Sequence, residues 1–160
     1  MMENPEIDQL DRQILSRLLE DGKTPYTDLA KQLFVSSGTI HVRMRKLENT
    51  GIVLGSTLIV DYYKLGYTIT AFLGIYLDKS SLYGEVAQRL KEVKEVVEAN
   101  YITGSYSILA KIICRDTNHL HEILRNKIQP IPGIQRTETF ISLEETIGRR
   151  VEFLEPEKED

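Results

Sequence analysis

Apolar residues recur at helical spacing through the first fifty positions and alternate from about residue 68 onward. Ile7, Leu10, Ile14 and Leu18 form one stripe, widened by Leu15 and Leu19. They predict a helix over residues 8–20, stopped by Asp21 and Gly22. Thr24 suits the N-cap of a second helix and Pro25 its first position, where no amide donor is needed. Leu29, Ala30 and Leu33 share a face of that helix. Phe34 and Val35 break the pattern, and Ser36 can cap a third helix. There Ile40, Met44 and Leu47 recur at i, i+4 and i+7 and point inward. Asn49, Thr50 and Gly51 end it, Gly51 suiting a left-handed C-terminal position. Three such helices close one core near the lower size limit for independent folding.

The remainder reads differently. Residues 52–61 (IVLGSTLIVD) are β-branched and predict a linking strand, and residues 62–67 (YYKLGY) a turn-like connection. Strands then follow over residues 68–77, 96–102, 106–114 and 134–143. Helices fall over residues 82–93, with Tyr83, Val86, Ala87 and Leu90 inward, and 117–128, with Leu120, Ile123 and Leu124 inward. Gly104 and Ser105 mark a tight turn, and residues 129–133 (QPIPG) a break. The order βαββαβ is the ferredoxin-like layout, a four-stranded antiparallel sheet with both helices on one face. The expected class is therefore α+β. A helix-turn-helix (winged-helix-like) domain over 1–51 is followed by a strand linker over 52–67. A ferredoxin-like domain over 68–146 and an acidic tail over 147–160 complete the chain. In the first strand Ile69, Ala71, Leu73, Ile75 and Leu77 share one side, with Phe72 and Tyr76 on the other. In the third, Leu109 and Ile113 oppose Ile108, Ala110 and Ile112. A sheet apolar on both faces needs cover on both. One face lacks helices, which predicts an identical partner subunit.

Two short helices joined by a tight turn, the second basic, are the layout that places a reading helix in the DNA major groove. At about 100° per residue, Gly38, Val42 and Arg45 lie opposite the inward stripe, flanked by Thr39, His41 and Lys46. Arg43 falls nearer the buried edge and is expected to reach a phosphate. Arg45 can pair with guanine, and Val42 or the Thr39 methyl can touch a thymine methyl. Ser36 and Ser37 can donate to the DNA backbone.

Net charge modifies this picture only slightly. The sum is −4, but the reading helix carries Arg43, Arg45 and Lys46 against Glu48, while acid gathers in the tail EFLEPEKED. Affinity for DNA follows local positive charge, so a single module binds weakly and several are needed together. The single Cys114 excludes an internal disulfide framework, fits a reducing cytoplasm and ends an apolar run, as a buried thiol would. No apolar run is long enough to span a membrane, and the acidic start does not resemble a signal peptide. No catalytic or metal set is recognisable. His119 and His121, two apart on a helix, diverge, and GSYS lacks the second glycine of a nucleophile elbow. No resident cofactor is expected. A metabolite-sensing ferredoxin-like protein or a small enzyme without a DNA role is the alternative, since a fold does not fix function.

The whole arrangement resembles the Lrp/AsnC family of bacterial and archaeal transcription regulators, the feast/famine regulatory proteins. The match rests on DxxDxxIL at residues 8–15, LAKxLxVS at 29–36, RxxxLExxGI at 43–52, Leu65 with Gly66, and ITGSYS at 102–107, in that order and spacing. The resemblance implies binding to double-stranded DNA. It also implies dimers that assemble into tetramers, octamers or hexadecamers, an octamer being expected, and a small effector, often an amino acid, bound between dimers near the loop joining strands two and three. The candidates for that pocket are then Tyr101, Thr103, Gly104, Ser105, Tyr106 and Ser107. Two departures stand out. The family often has an acidic residue where Ser107 stands, and a small residue, often glycine, where Phe34 stands.

Overall fold

A computed structural model describes residues 7–151. The chain divides into two compact units. One runs to Ile59 and takes in the residues from Ile147, and the other is Val60–Thr146.

The first unit is built on three helices, α1 (Gln9–Glu20), α2 (Tyr26–Gln32) and α3 (Ser37–Asn49). Ile14, Leu15, Leu29, Ala30, Ile40, Met44 and Leu47 form its core, with Leu10, Leu18, Leu33, Ile52 and Val53 packed around it. Leu19, expected inside the stripe, lies at the rim and is half exposed. Asp8 caps α1 in a reciprocal box: its side chain accepts from the Asp11 amide (2.9 Å) and its own amide donates to the Asp11 side chain. The start of α2 differs from expectation by one residue. Pro25, not Thr24, is the N-cap, because its extended backbone (ψ 140°) already offers its carbonyl to the amides of Asp28 and Leu29. Ser36 caps α3, accepting from the Thr39 amide at 3.1 Å. Gly51 follows its end at φ 73°, where a side chain would be strained.

The expected strand over residues 52–61 is not formed. Among the described residues this segment is irregular and pairs with no strand. Hydropathy supplies the composition of a strand, but only a ladder partner makes one. The amides of Ile52 and Val53 donate instead to the Leu47 carbonyl, and Leu54, Leu58 and Ile59 are exposed.

In the second unit β1 (Ile69–Leu77), β2 (Val96–Tyr101), β3 (Ile108–Cys114) and β4 (Ile134–Ile141) form an antiparallel sheet in the order β2-β3-β1-β4. Two helices, α4 (Tyr83–Lys91) and α5 (Thr117–Ile123), complete the βαββαβ layout. The inward residues of β1 and β3 alternate as the pleat requires. Ala71, Leu73, Ile75, Ile108, Ala110, Ile112 and Cys114 are buried with Val86, Leu90, Leu120 and Ile123 of the helices. Cys114 is fully enclosed, and burial pushes its thiol pKa up. The helix expected through residue 128 closes in a wider π turn from Leu124 to Ile128, where the Gln129 amide donates to the Leu124 carbonyl. No helix among the described residues is long and apolar enough to cross a membrane.

Candidate nucleic-acid interface and effector loop

The inward stripe of α3 is enclosed, with Ile40 and Leu47 fully buried. Its opposite side carries Ser37, Gly38, His41, Val42 and Arg45, all exposed. Val42, an apolar residue at 69% exposure, sits at the centre of this outer stripe. Thr39, Arg43 and Lys46 are half-buried. Several of these side chains are already engaged. The Ser36 hydroxyl serves the cap and lies 2.9 Å from the Thr39 hydroxyl. His41 meets Tyr26 of α2 edge-on, ring centroids 4.8 Å apart.

Arg43 is turned toward α1 rather than outward. Its Nη1 donates to the carboxylates of Asp8 and Asp11, the latter at 3.3 Å. Lys46 Nζ lies 3.2 Å from the second Asp11 oxygen. Asp11 is completely buried, so two cations of α3 compensate a carboxylate that water does not reach. The Asp8 carboxyl is held below its ordinary pKa, chiefly by the Asp11 amide and then by Arg43. The Arg43 guanidinium is held above its ordinary value, chiefly by Asp8.

The effector candidates do not share one surface. Tyr101 stacks on Tyr83 of α4 (4.3 Å between centroids), on the helix-covered side of the sheet. Tyr106 crosses to the open side and covers Gly74, where a Cβ would lie 2.5 Å from its ring. Its hydroxyl donates to Glu138 Oε2 at 2.8 Å, Tyr76 donates to Oε1 at 3.2 Å, and Arg136 donates to the same oxygen at 2.5 Å. Arg136 also lies over the Tyr76 ring, 3.6 Å from its centroid. These bonds hold the Glu138 carboxyl below its usual range, the Tyr106 hydroxyl first among them, and they raise the Tyr106 pKa. Thr103, Gly104 and Ser105 are exposed in the connecting loop, with Gly104 at φ 110°. The loop is closed by the Ile102 amide on the Ser107 carbonyl (3.1 Å), and the Ser107 amide donates to Ile75 (2.9 Å). Phe72, Tyr76 and Phe140 share the open face with Tyr106, leaving an aromatic platform without helices over it.

Comparison with known proteins places both units. The AsnC-type helix-turn-helix domain matches residues 7–48, and the Lrp/AsnC ligand binding domain matches residues 70–151. Regulatory protein AsnC of Haemophilus influenzae is 46% identical over 145 residues, spanning 91% of this chain and 97% of its own length. The chain belongs to the Lrp/AsnC family. The structure of E. coli AsnC superposes with a TM-score of 0.87 at 44% identity, covering 92% of this chain and 99% of that one. A feast or famine regulatory protein from M. tuberculosis, solved in complex with L-methionine, shares the fold at 24% identity (TM-score 0.85, covering 91% and 98%). The chain is thus a DNA-binding transcription regulator of the Lrp/AsnC type, and its relatives' names favour that reading over the metabolite-sensing alternative.

Against the Lrp/AsnC pattern the two departures acquire physical content. Phe34 adopts the left-handed region (φ 56°) at 95% exposure, the backbone state a glycine enters without strain. Glu138 accepts from Tyr106 of the candidate loop, and both its oxygens are engaged by donors of this chain. Sequence reasoning missed Asp8 and Asp11 as partners of α3, although the i, i+3 spacing of both pairs, Asp8/Asp11 and Arg43/Lys46, is a legible complement. It also missed the Tyr76–Tyr106–Glu138–Arg136 cluster, which depends on the register between β1 and β4.

Proposed function

We propose that this regulator reads duplex DNA through the outer stripe of α3, in a cytoplasmic homo-oligomer tuned by a small amino-acid effector and without catalysis of its own. The observation that carries it is the opposition, on one helix, of the buried Ile40/Met44/Leu47 stripe and the exposed Gly38/Val42/Arg45 stripe. Arg45 contacts a base edge, Val42 offers an apolar contact, and Ser37 and His41 reach the backbone. The open aromatic face of the sheet pairs with a second copy, so two weak heads act as one. The functional segments are 1–51, 52–67, 68–146 and 147–160. Support for an effector comes from the ligand-binding name of the matched domain and the methionine complex of the M. tuberculosis protein. Residues 103–107 hold it, with Gly104 admitting close backbone approach. Effector binding shifts assembly, and DNA affinity follows.

Gel-shift titration of a duplex that the protein itself selects from a random pool tests the groove face. Arg45→Ala weakens binding by about five-fold to 150-fold, in line with losing one base-reading arginine at ~1–3 kcal/mol. Unchanged affinity removes α3 from the groove. Sedimentation with a panel of amino acids tests the effector loop, and Gly104→Val abolishes any ligand-dependent change.

A further inference from the structure

Of the three cations on the second half of α3, two are half-buried and turn toward α1. Asp11, without solvent exposure, takes Arg43 on one oxygen (3.3 Å) and Lys46 on the other (3.2 Å), while Asp8 holds the same Arg43 nitrogen. Arg43 and Lys46 lie three residues apart, one helical turn along the same flank. A single carboxylate bridging them adds a directional restraint to the orientation that the buried Ile40, Met44 and Leu47 stripe already gives α3. Arg45, between them in sequence, is thereby left on the outer side, where it is exposed. The bridge also changes the charge that α3 presents. A free lysine or arginine on a DNA-facing helix displaces a counterion at any phosphate it meets, whatever the sequence. Cations spent on Asp8 and Asp11 do not.

We propose that Asp8 and Asp11 are specificity-determining positioning residues: they withhold Arg43 and Lys46 from DNA phosphates and use that charge to aim the reading helix. Sequence-independent affinity stays low while the base-reading stripe stays oriented. This rests on α3 reading DNA, as proposed above. It reverses the expectation that Arg43 serves as a phosphate contact.

The test uses the full chain and fluorescence anisotropy on two duplexes, the selected one and one of unrelated sequence, across a range of NaCl concentrations. Asp8→Asn and Asp11→Asn bind the unrelated duplex about three- to ten-fold more tightly at low salt. The slope of log K against log salt steepens by up to about 0.9 for each cation released, and preference for the selected duplex falls. Asp11→Glu, which keeps the charge, restores slope and preference toward the parent. Circular dichroism verifies folding. Asp8 is half exposed, and Asp8→Asn, which leaves Arg43 on Asp11 alone, gives a smaller steepening in the same direction and decides the matter where Asp11→Asn unfolds. Slopes that are unchanged or shallower, with both duplexes weakened in parallel, overturn the proposal and leave the DNA reading intact. A parent protein that binds neither duplex at low salt overturns both.

Discussion

The helical unit and the sheet unit hold themselves together by different means. Among the described residues the fully buried side chains of the sheet unit are apolar, from Ala71 and Leu73 on β1 to Ile123 and Ile128 beyond β3, and its Glu95, beside His119 and Lys127, keeps partial exposure. The helical unit has a smaller apolar cluster and adds Asp11, the buried charged side chain among the described residues. Apolar packing is strong but indifferent to direction, whereas an ion pair with satisfied hydrogen bonds is demanding in geometry. A large interdigitated core fixes its own register. Three short helices around a few side chains have less to resist rotation, and there the charged bridge supplies direction. The lesson is that the weaker core carries the residues whose aim matters most.

The largest effect that can break this contrast is truncation inside the cores. Ile40→Ala in the helical unit and Leu73→Ala in the sheet unit each cost about 2–5 kcal/mol. That is a far larger share of the smaller unit's stability. Calorimetry of the full chain is expected to show the helical unit's transition lost or strongly lowered by the first change. The second leaves the sheet unit folded at room temperature with a reduced Tm. Equal loss in both would show that the cores are equally robust.

Acid sharpens the comparison with a smaller effect. Glu138 on the sheet is held below its ordinary value, 4.5, by Tyr106 first, then by Arg136 and Tyr76. A folded-state pKa below the unfolded one contributes stability above the unfolded value, and that contribution is lost as pH falls through the folded value. Thermal melts below about pH 4.5 are therefore expected to show the sheet unit weakening. Tyr106→Phe reduces the acid-dependent part of that loss while leaving Asp8, the corresponding group of the helical unit, to titrate as before. An acid profile identical in parent and Tyr106→Phe would remove Glu138 from the account.

The smallest expected effect is a gain. Phe34 holds φ at 56° with its ring in solvent. Phe34→Gly relieves that strain and raises the stability of the helical unit by about 0.5–1 kcal/mol, after the entropy glycine costs. A urea titration that shows no rise in midpoint would mean the turn bears no strain.

Much of the fold is legible in the sequence. Helical stripes locate α1, α2 and α3 because burial repeats with the backbone's own period, and Ile40, Met44 and Leu47 are enclosed as that period requires. Alternation locates β1 and β3 and their inward faces, since buried residues recur at every second position. The linker failed as a strand because pairing is not a property of one segment. The phosphate contact expected of Arg43 follows from helical position, which gives the direction of a side chain and not its partner, and Asp11 lies 32 residues earlier in the chain. Tyr101 and Tyr106 are near neighbours in sequence, yet they end on opposite faces once β2 passes into the loop.

Position 74 and position 106 behave as a single steric unit. The tyrosine ring beds directly on β1 because nothing projects from the glycine, and even a methyl there would meet it at 2.5 Å. Bulk granted to one site is denied to the other, so alanine at 74 should be tolerated only alongside a smaller residue at 106. A substitution judged harmless on the strand alone would evict the ring, and with it the proton donor that anchors Glu138.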